Sequence, residues 1–371
     1  MKVVVASAFE ASSHKAHAIN TTKIAEGFAK LGHEVHLICL AASKKKCSPD
    51  ELNAMYGVQV SLHWHQLPSK LFGFRVTPHW FFTMLAMPDV LRIAPDFIYS
   101  RNYILPALTS RFGLPTVGET HAWPDNPTPA FRAFLHATHH AAFKQCVTIS
   151  HRLAEEYIRL GANPKNMQVL PDAVDLRMFE PPAPLPEKNL YKEGIPHVLY
   201  VGHLYDYKGI PTILETAALL PHMQFHLVGG LPGDIKRHQG TIAERSLTNV
   251  TLHGLKPYAE VPPYLWQADV LLLPPSAHHP SAAWTSPVKL AEYLASGVPV
   301  IATSIPALRD WLTEEEACFV PPDDASAMAE AIQELLANPE WAQRLAQKAS
   351  QKAHSFTYEG RARAMLATVP H

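Results

Sequence analysis

The chain has 371 residues, 47% of them hydrophobic and 18% charged, with a formal net charge of -1. That length is enough for two ordinary domains with separate cores, and the composition is that of a globular protein with no nucleic-acid partner expected. No apolar run reaches the roughly 18–20 residues of a membrane helix, and Met1–Glu10 reads as a buried first strand and not as a signal peptide, so a cytoplasmic protein is expected, at the most at the inner face of the membrane. The four cysteines, Cys39, Cys47, Cys146 and Cys318, lack a metal-type spacing and read as reduced structural thiols. Residues 1–178 hold 18 Lys and Arg against 13 Asp and Glu, while the remainder hold 14 against 20. A basic first half suits an anionic acceptor or a membrane surface, and equally an ordinary scatter of surface charge.

In chain order, Lys2–Ala6 predicts a first strand. Ile24, Phe28 and Leu31 at helical spacing predict a helix ended by Gly32, and Glu34–Cys39 a second, parallel strand. Short apolar strands follow at 97–99, 116–118, 146–149 and 168–170, with helical stretches between, which is the alternation of a doubly wound sheet. Pro181, Pro182, Pro184 and Pro186, with Pro171 upstream, mark a stiff linker and the expected domain boundary. The pattern then restarts. Strands are predicted at 197–202, 224–228, 250–252, 270–273 and 300–302, with a helix around 211–220. The expected division is 1–180 with 355–371 as one Rossmann-like domain and 188–354 as the other. Ligands of open α/β sheets bind at the C-terminal strand edges, so a central cleft between the domains is the expected site.

The densest candidate segment runs from Ser286 to Ala302. Ser286 suits an N-cap and Pro287 the first helical turn, so free amides there would face a phosphate. Lys289 adds positive charge, Glu292 could accept from ribose hydroxyls, and Gly297 ends the helix. An amphipathic helix with a solvated Lys–Glu pair would look the same. A second cluster, Gly202-His203-Leu204-Tyr205-Asp206-Tyr207-Lys208-Gly209, follows the first strand of the second domain. Gly202 lets a ligand approach the backbone and Lys208 can reach a diphosphate; the plain alternative is a surface loop with an exposed lysine. Asp323-Asp324 after Pro321-Pro322 reads as a turn, and no metal site is expected.

These motifs resemble the retaining family 4 glycosyltransferases with the GT-B fold. The resemblance also rests on Thr148-Ile149-Ser150, on Val169-Leu170-Pro171-Asp172-Ala173-Val174-Asp175 with Phe179, on Asn249–Gly254 and on Ala268–Pro274. It spans nearly the whole chain through motifs that are modest singly and specific in their order. It implies an α/β architecture of two Rossmann-like domains facing a central cleft, with the helix expected at 356–369 returning to the first domain. It implies a hexosyltransferase that moves a sugar from a nucleotide-diphosphate donor to a glycan or lipid-linked acceptor, with retention of configuration, no metal and no cofactor. Carried over, Lys208 binds the diphosphate, Lys289 faces it, and Glu292 holds the ribose. Gly202, His203, Ser286, Pro287 and Leu290 complete the donor set, and His121 contacts the donor sugar near the reacting centre. His14, Arg101 and Glu119 are the acceptor-side candidates.

This chain departs from the family pattern at three places. Trp284 stands where an acidic residue often touches the sugar, His203 replaces an Arg with a titratable group, and Ser7–His14, read as a loop, has no Gly-Gly. A nucleotide-sugar epimerase of the same fold and a non-catalytic nucleotide-sugar-binding protein are the alternatives. Trp64, Phe72, Phe74, Trp80, Phe81 and Phe82, beside Lys70 and Arg75, form either a membrane or lipid-acceptor patch or a buried core segment.

Overall fold

The structure, a computed structural model, describes residues 1–369 other than 43–45, 72–73, 77–78, 126–127, 186–189 and 287. It separates into two compact units. Residues 1–173 and 357–371 form the first and 174–356 the second.

The first unit is built on a parallel seven-stranded sheet. Its strands are β1 (Lys2–Glu10), β2 (Glu34–Leu40), β3 (His63–Leu67), β6 (Phe97–Ser100), β7 (Thr116–Thr120), β8 (Phe143–Thr148) and β9 (Met167–Val169), in the order β3-β2-β1-β6-β7-β8-β9. Separately, β4 (Lys70–Leu71) pairs antiparallel with β5 (Phe74–Arg75). Val3, Val4, Val5 and Ala6 are all buried, as a central parallel strand covered on both faces requires. The stretch read as a loop after β1 is partly strand. β1 runs on to Glu10 through an irregularity after Ala6, and Ala11 N–H still bonds Leu40 O at 2.8 Å.

The first helix, Ala16–Lys30, ends as expected, with Gly32 in the left-handed region at φ +86°. The C-terminal helix Tyr358–Leu366, capped by the Thr357 side chain, packs on it. Gly27 makes that approach possible, because a Cβ there would stand 2.7 Å from the Tyr358 carbonyl oxygen. The Tyr358 hydroxyl donates to Asn20 Oδ1 at 2.6 Å, and Asn20 in turn donates to Asp172 at 2.8 Å.

The aromatic-basic region divides. Phe82 is buried in a core with Val4, Ile98 and Leu105, while Trp64 lies in β3, stacked on Tyr56 and bonded to Asn53. Trp80, Met84 and Leu91 on the helix His79–Ile93 are exposed at 60%, 50% and 66%, and Phe81 is partly buried against the core. Phe72 and the side chains of Phe74 and Arg75 lie outside the described residues.

The second unit holds a six-stranded parallel sheet. Its strands are β10 (His197–Val201), β11 (Gln224–Val228), β12 (Val250–Gly254), β13 (Val270–Leu273), β14 (Val300–Thr303) and β15 (Cys318–Val320), ordered β12-β11-β10-β13-β14-β15. Its core gathers Tyr200, Leu214, Leu227, Leu272, Met328 and Ile332. The units divide at 173/174, ahead of the proline-rich stretch expected to separate them. Phe179 explains the shift: it is fully buried against Tyr258, and its carbonyl accepts the Trp266 indole N–H at 2.8 Å, tying the segment before the prolines to the second unit.

Candidate functional site

In the second unit the two predicted segments meet at the C-terminal end of β10. The helix Val288–Ala295 presents Tyr293, whose hydroxyl accepts the Val201 N–H at 2.7 Å and pins the strand end to the helix. Gly202 follows at φ +143°, and a Cβ there would come within 3.0 Å of Lys289 Nζ. Glycine therefore leaves the ammonium room against the backbone. Lys289 Nζ lies 3.7 Å from the centroid of the Tyr200 ring, a close cation–π contact.

Past Gly202 the chain forms a short turn, Asp206–Lys208, closed by Gly209 at φ +84°. Only glycine fits there, since a Cβ would lie 1.8 Å from the Pro274 carbonyl oxygen. This places Lys208 within electrostatic range of Lys289. Burial lowers the Lys208 pKa, and burial followed by the charge of Lys208 lowers that of Lys289, while Glu292 opposes. Two lysines in electrostatic range of each other, whose charged forms an anion would favour, make with one buried carboxylate a region suited to a dianionic ligand. Glu292, Ser286 and Leu290 are buried; Pro287 lies outside the described residues.

His203 belongs to a ladder of stacked rings that singling it out as a lost arginine did not foresee. His203 stacks on Tyr205 at 5.1 Å, Tyr205 on Tyr207 at 5.4 Å, and Tyr207 on His279 at 4.1 Å. Lys208 Nζ stands 5.1 Å from the Tyr207 ring, so the ladder backs the lysine turn. The alternation His203-x-Tyr205-x-Tyr207 was its signal in the sequence. Trp284 is half-buried just after the turn Pro280–Ala283. Asp323 and Asp324 serve the backbone: Asp323 accepts Ala277 N–H, and Asp324 caps the helix Ala325–Ala337.

The first unit carries a second cluster at the C-terminal ends of β1, β6 and β7. Glu119, buried in β7, accepts His121 Nε2–H at 2.6 Å, pairs with Arg361 from the C-terminal helix, and has Arg101 Nε 3.9 Å away. Burial works against its charge, but Arg361, His121 and Arg101 together hold its pKa well below the usual carboxylate range. Burial and then Arg101 lower the His121 pKa, against Asp172 and Glu119, which favours the uncharged ring. With Nε2–H given to Glu119, Nδ1 carries the lone pair. His17, bonded to Ser7 Oγ at 2.6 Å, lies in electrostatic range of the cluster, its pKa pushed down to about 2 by burial and then by Arg101 and His121. Arg101 Nη1 is buried with no hydrogen-bond partner among the described residues.

The acceptor-side candidates Arg101 and Glu119 are thus brought to His121. His14 is exposed and outside this cluster, and His17, three residues on, occupies the place near Arg101. His17, Asn20 and Asp172 had not been singled out as site residues. Helix Ala16–Lys30 supplies the first two, and only its packing orients them.

Comparison with known proteins matches both units. The family model described as Glycosyltransferase Family 4 matches residues 20–177, and that described as Glycosyl transferases group 1 matches 195–338. The chain belongs to the family 4, group 1 glycosyltransferases. A D-inositol 3-phosphate glycosyltransferase of Xylanimonas cellulosilytica is 27% identical over 65% of this chain and 60% of its own length. The chain spans only about half to three-fifths of the first curated relatives it matches. Among solved structures, sucrose-phosphate synthase from Thermosynechococcus elongatus has a TM-score of 0.78 at 19% identity, covering 98% of this chain and 97% of its own. HepE of Anabaena, in complex with UDP-glucose, has a TM-score of 0.75 at 14% identity, covering 99% of each chain. These likenesses show that this glycosyltransferase has the GT-B fold, with a Rossmann-like parallel sheet in each unit. Among the described residues no helix is long and apolar enough to cross a membrane.

Proposed function

We propose that the protein transfers a sugar from a nucleotide-diphosphate donor, held by the second unit, to a glycan or lipid-linked acceptor held by the first, with retention of configuration and without a metal. The observation that carries this reading is Lys289 set against Gly202, with Lys208 and Glu292 both in its electrostatic range. A departing nucleoside diphosphate gathers negative charge on its β-phosphate, and preset cations in a water-poor site stabilise it without reorganising. Glu292 is the group for the ribose hydroxyls. His121, oriented by its hydrogen bond to Glu119, is the group for the donor sugar as it develops oxocarbenium character.

A uridine diphosphate sugar is the first donor to test, because HepE, similar in fold, is described with UDP and UDP-glucose. An anionic acceptor is consistent with the Xylanimonas relative named for an inositol phosphate, with the basic first half, and with Arg101. Trp80, Met84 and Leu91, exposed along one helix, suit contact with the surface of a membrane carrying a lipid-linked acceptor.

The test is a panel of nucleotide sugars and free nucleoside diphosphates read by thermal shift, since a ligand that binds only the folded state raises its stability by mass action. A single stabilising donor, consumed only when acceptor is added, supports the reading. Donor converted without acceptor to its epimer indicates the epimerase, and binding without turnover over a broad acceptor set indicates a non-catalytic binder.

A further inference from the structure

Three histidines of the first unit, His36, His63 and His65, gather away from the cluster around His121. Parallel pairing of β2 with β3 sets His36 opposite His63 and Ile38 opposite His65, so His36, His63 and His65 share one face at the sheet's edge, together with Glu34 two residues before His36. Glu34 and His63 open their strands, whereas Arg101 and His121 follow theirs. In a parallel sheet that is the opposite edge from the proposed reaction chemistry.

Donor atoms of Glu34, His36 and His63 all lie within 4.8 Å of one another. Tetrahedral bonds of about 2.0–2.1 Å to N and O donors put ligands about 3.4 Å apart. The widest pair must therefore close by up to about 1.4 Å. The His36 and His63 rings now stack at 4.7 Å, so the His63 ring must turn to aim a nitrogen at a shared ion. Glu34 and His63 are exposed and can move without disturbing the core, while His36 is held.

What holds His36 is the second observation. Its Nε2 faces Glu34 Oε1 at 3.0 Å, and its Nδ1 faces His65 Nε2 at 3.0 Å. His65 Nδ1 in turn lies 4.0 Å from the Asp89 carboxylate. Ligating histidines are generally oriented by a partner on the other ring nitrogen, ending in a carboxylate. Here His36 Nε2 would point to the metal, Nδ1–H to His65, and the His65 Nδ1 proton to Asp89.

We propose that Glu34, His36 and His63 bind a divalent transition metal of the zinc class, with His65 and Asp89 as positioning residues behind His36. Imidazole and carboxylate suit such ions, and an exposed face leaves the fourth position to water or to a ligand from another molecule. The site is independent of the glycosyl-transfer reading and lies at the other strand edge.

Calorimetric titration of chelator-treated full-length protein with zinc chloride tests it. One equivalent should bind. His63→Gln and Glu34→Gln should each weaken binding at least tenfold, and Asp89→Asn about 10–100-fold, the range for lost outer partners. His253→Gln, in a separate histidine row with His197 and His226 on the second unit, is the control and should change nothing. The fold of each variant is checked by its metal-free melting curve. Absence of a one-equivalent site, or zinc binding that survives His63→Gln combined with Glu34→Gln, or loss in His253→Gln alone, would overturn the proposal.

Discussion

Lys289 Nζ stands 3.7 Å from the Tyr200 ring centroid, a charged group held over an aromatic face at the end of a buried strand. The contact offsets only part of the cost of burying the ammonium, whose pKa is driven well below the usual lysine value by burial and then by Lys208. The unfolded lysine keeps its proton up to about pH 10.4. Between the lowered folded pKa and that value the unfolded state binds more protons, so the ligand-free fold gains stability as pH rises. Lys289→Met should therefore melt higher than the parent protein without ligand, with a gap that narrows as pH rises, and should bind nucleoside diphosphate at least tenfold more weakly. Melting curves across pH and a calorimetric titration check both arms. A variant that melts lower at every pH would show that the ammonium stabilises the empty site.

Lys208→Ala should fold normally and lose most turnover. Removing one preset donor to a developing charge costs about 2.7–4 kcal/mol in comparable sites, so kcat should drop by about 100- to 1000-fold. Steady-state kinetics with the donor found by thermal shift is the measurement. Near-normal kcat would remove Lys208 from the diphosphate site.

Glu292→Gln should weaken binding of the nucleoside diphosphate and leave the fold unchanged. A carboxylate accepts from two ribose hydroxyls through charge-assisted bonds, which an amide cannot match with both its ends. An unchanged dissociation constant by calorimetry would make Glu292 a purely structural residue of its helix.

Arg361→Ala should destabilise the first unit by about 3–5 kcal/mol, the usual cost of leaving one half of a buried ion pair unpaired. Arg361 also donates to the carbonyls of Leu170 and Pro171, so its loss loosens the last strand's exit as well. The Glu119 carboxyl has its folded pKa depressed, so its contribution is present above the unfolded value near 4.3 and disappears as pH falls through the folded pKa. Denaturant melts at neutral and acid pH read this out. The gap between parent and variant should shrink on acidification, and a constant gap would place the effect in packing alone.

Transfer should survive treatment with EDTA. In the proposed donor site Lys208 and Lys289 supply the positive charge for the diphosphate, and Asp323 and Asp324 are already committed to backbone amides. Activity lost in EDTA and restored by magnesium or manganese would contradict this. Zinc removal from the Glu34, His36 and His63 face should leave turnover in place.

Local chemistry in the sequence was enough for most of the fold. Apolar runs at 3–6, 198–201 and 270–273 read as strands buried on both faces, and Gly32, Gly209 and Gly297 stand where the backbone turns left-handed. β3 and β15 escaped notice because edge strands need not be apolar: His63-Trp64-His65-Gln66-Leu67 has no hydrophobic run, and Cys318–Val320 is three residues long. The lysine turn and the Ser286 helix were legible as motifs, since each depends on residues close in sequence. What only the tertiary structure decided were contacts between distant segments. Glu119 meets Arg361 across 242 residues, His17 and not His14 turns toward Arg101, and three histidines from two strands share one face. Periodicity and turn chemistry describe how the chain bends over a few residues; which side chains then meet is set by how helices and strands pack, and no local pattern carries that information.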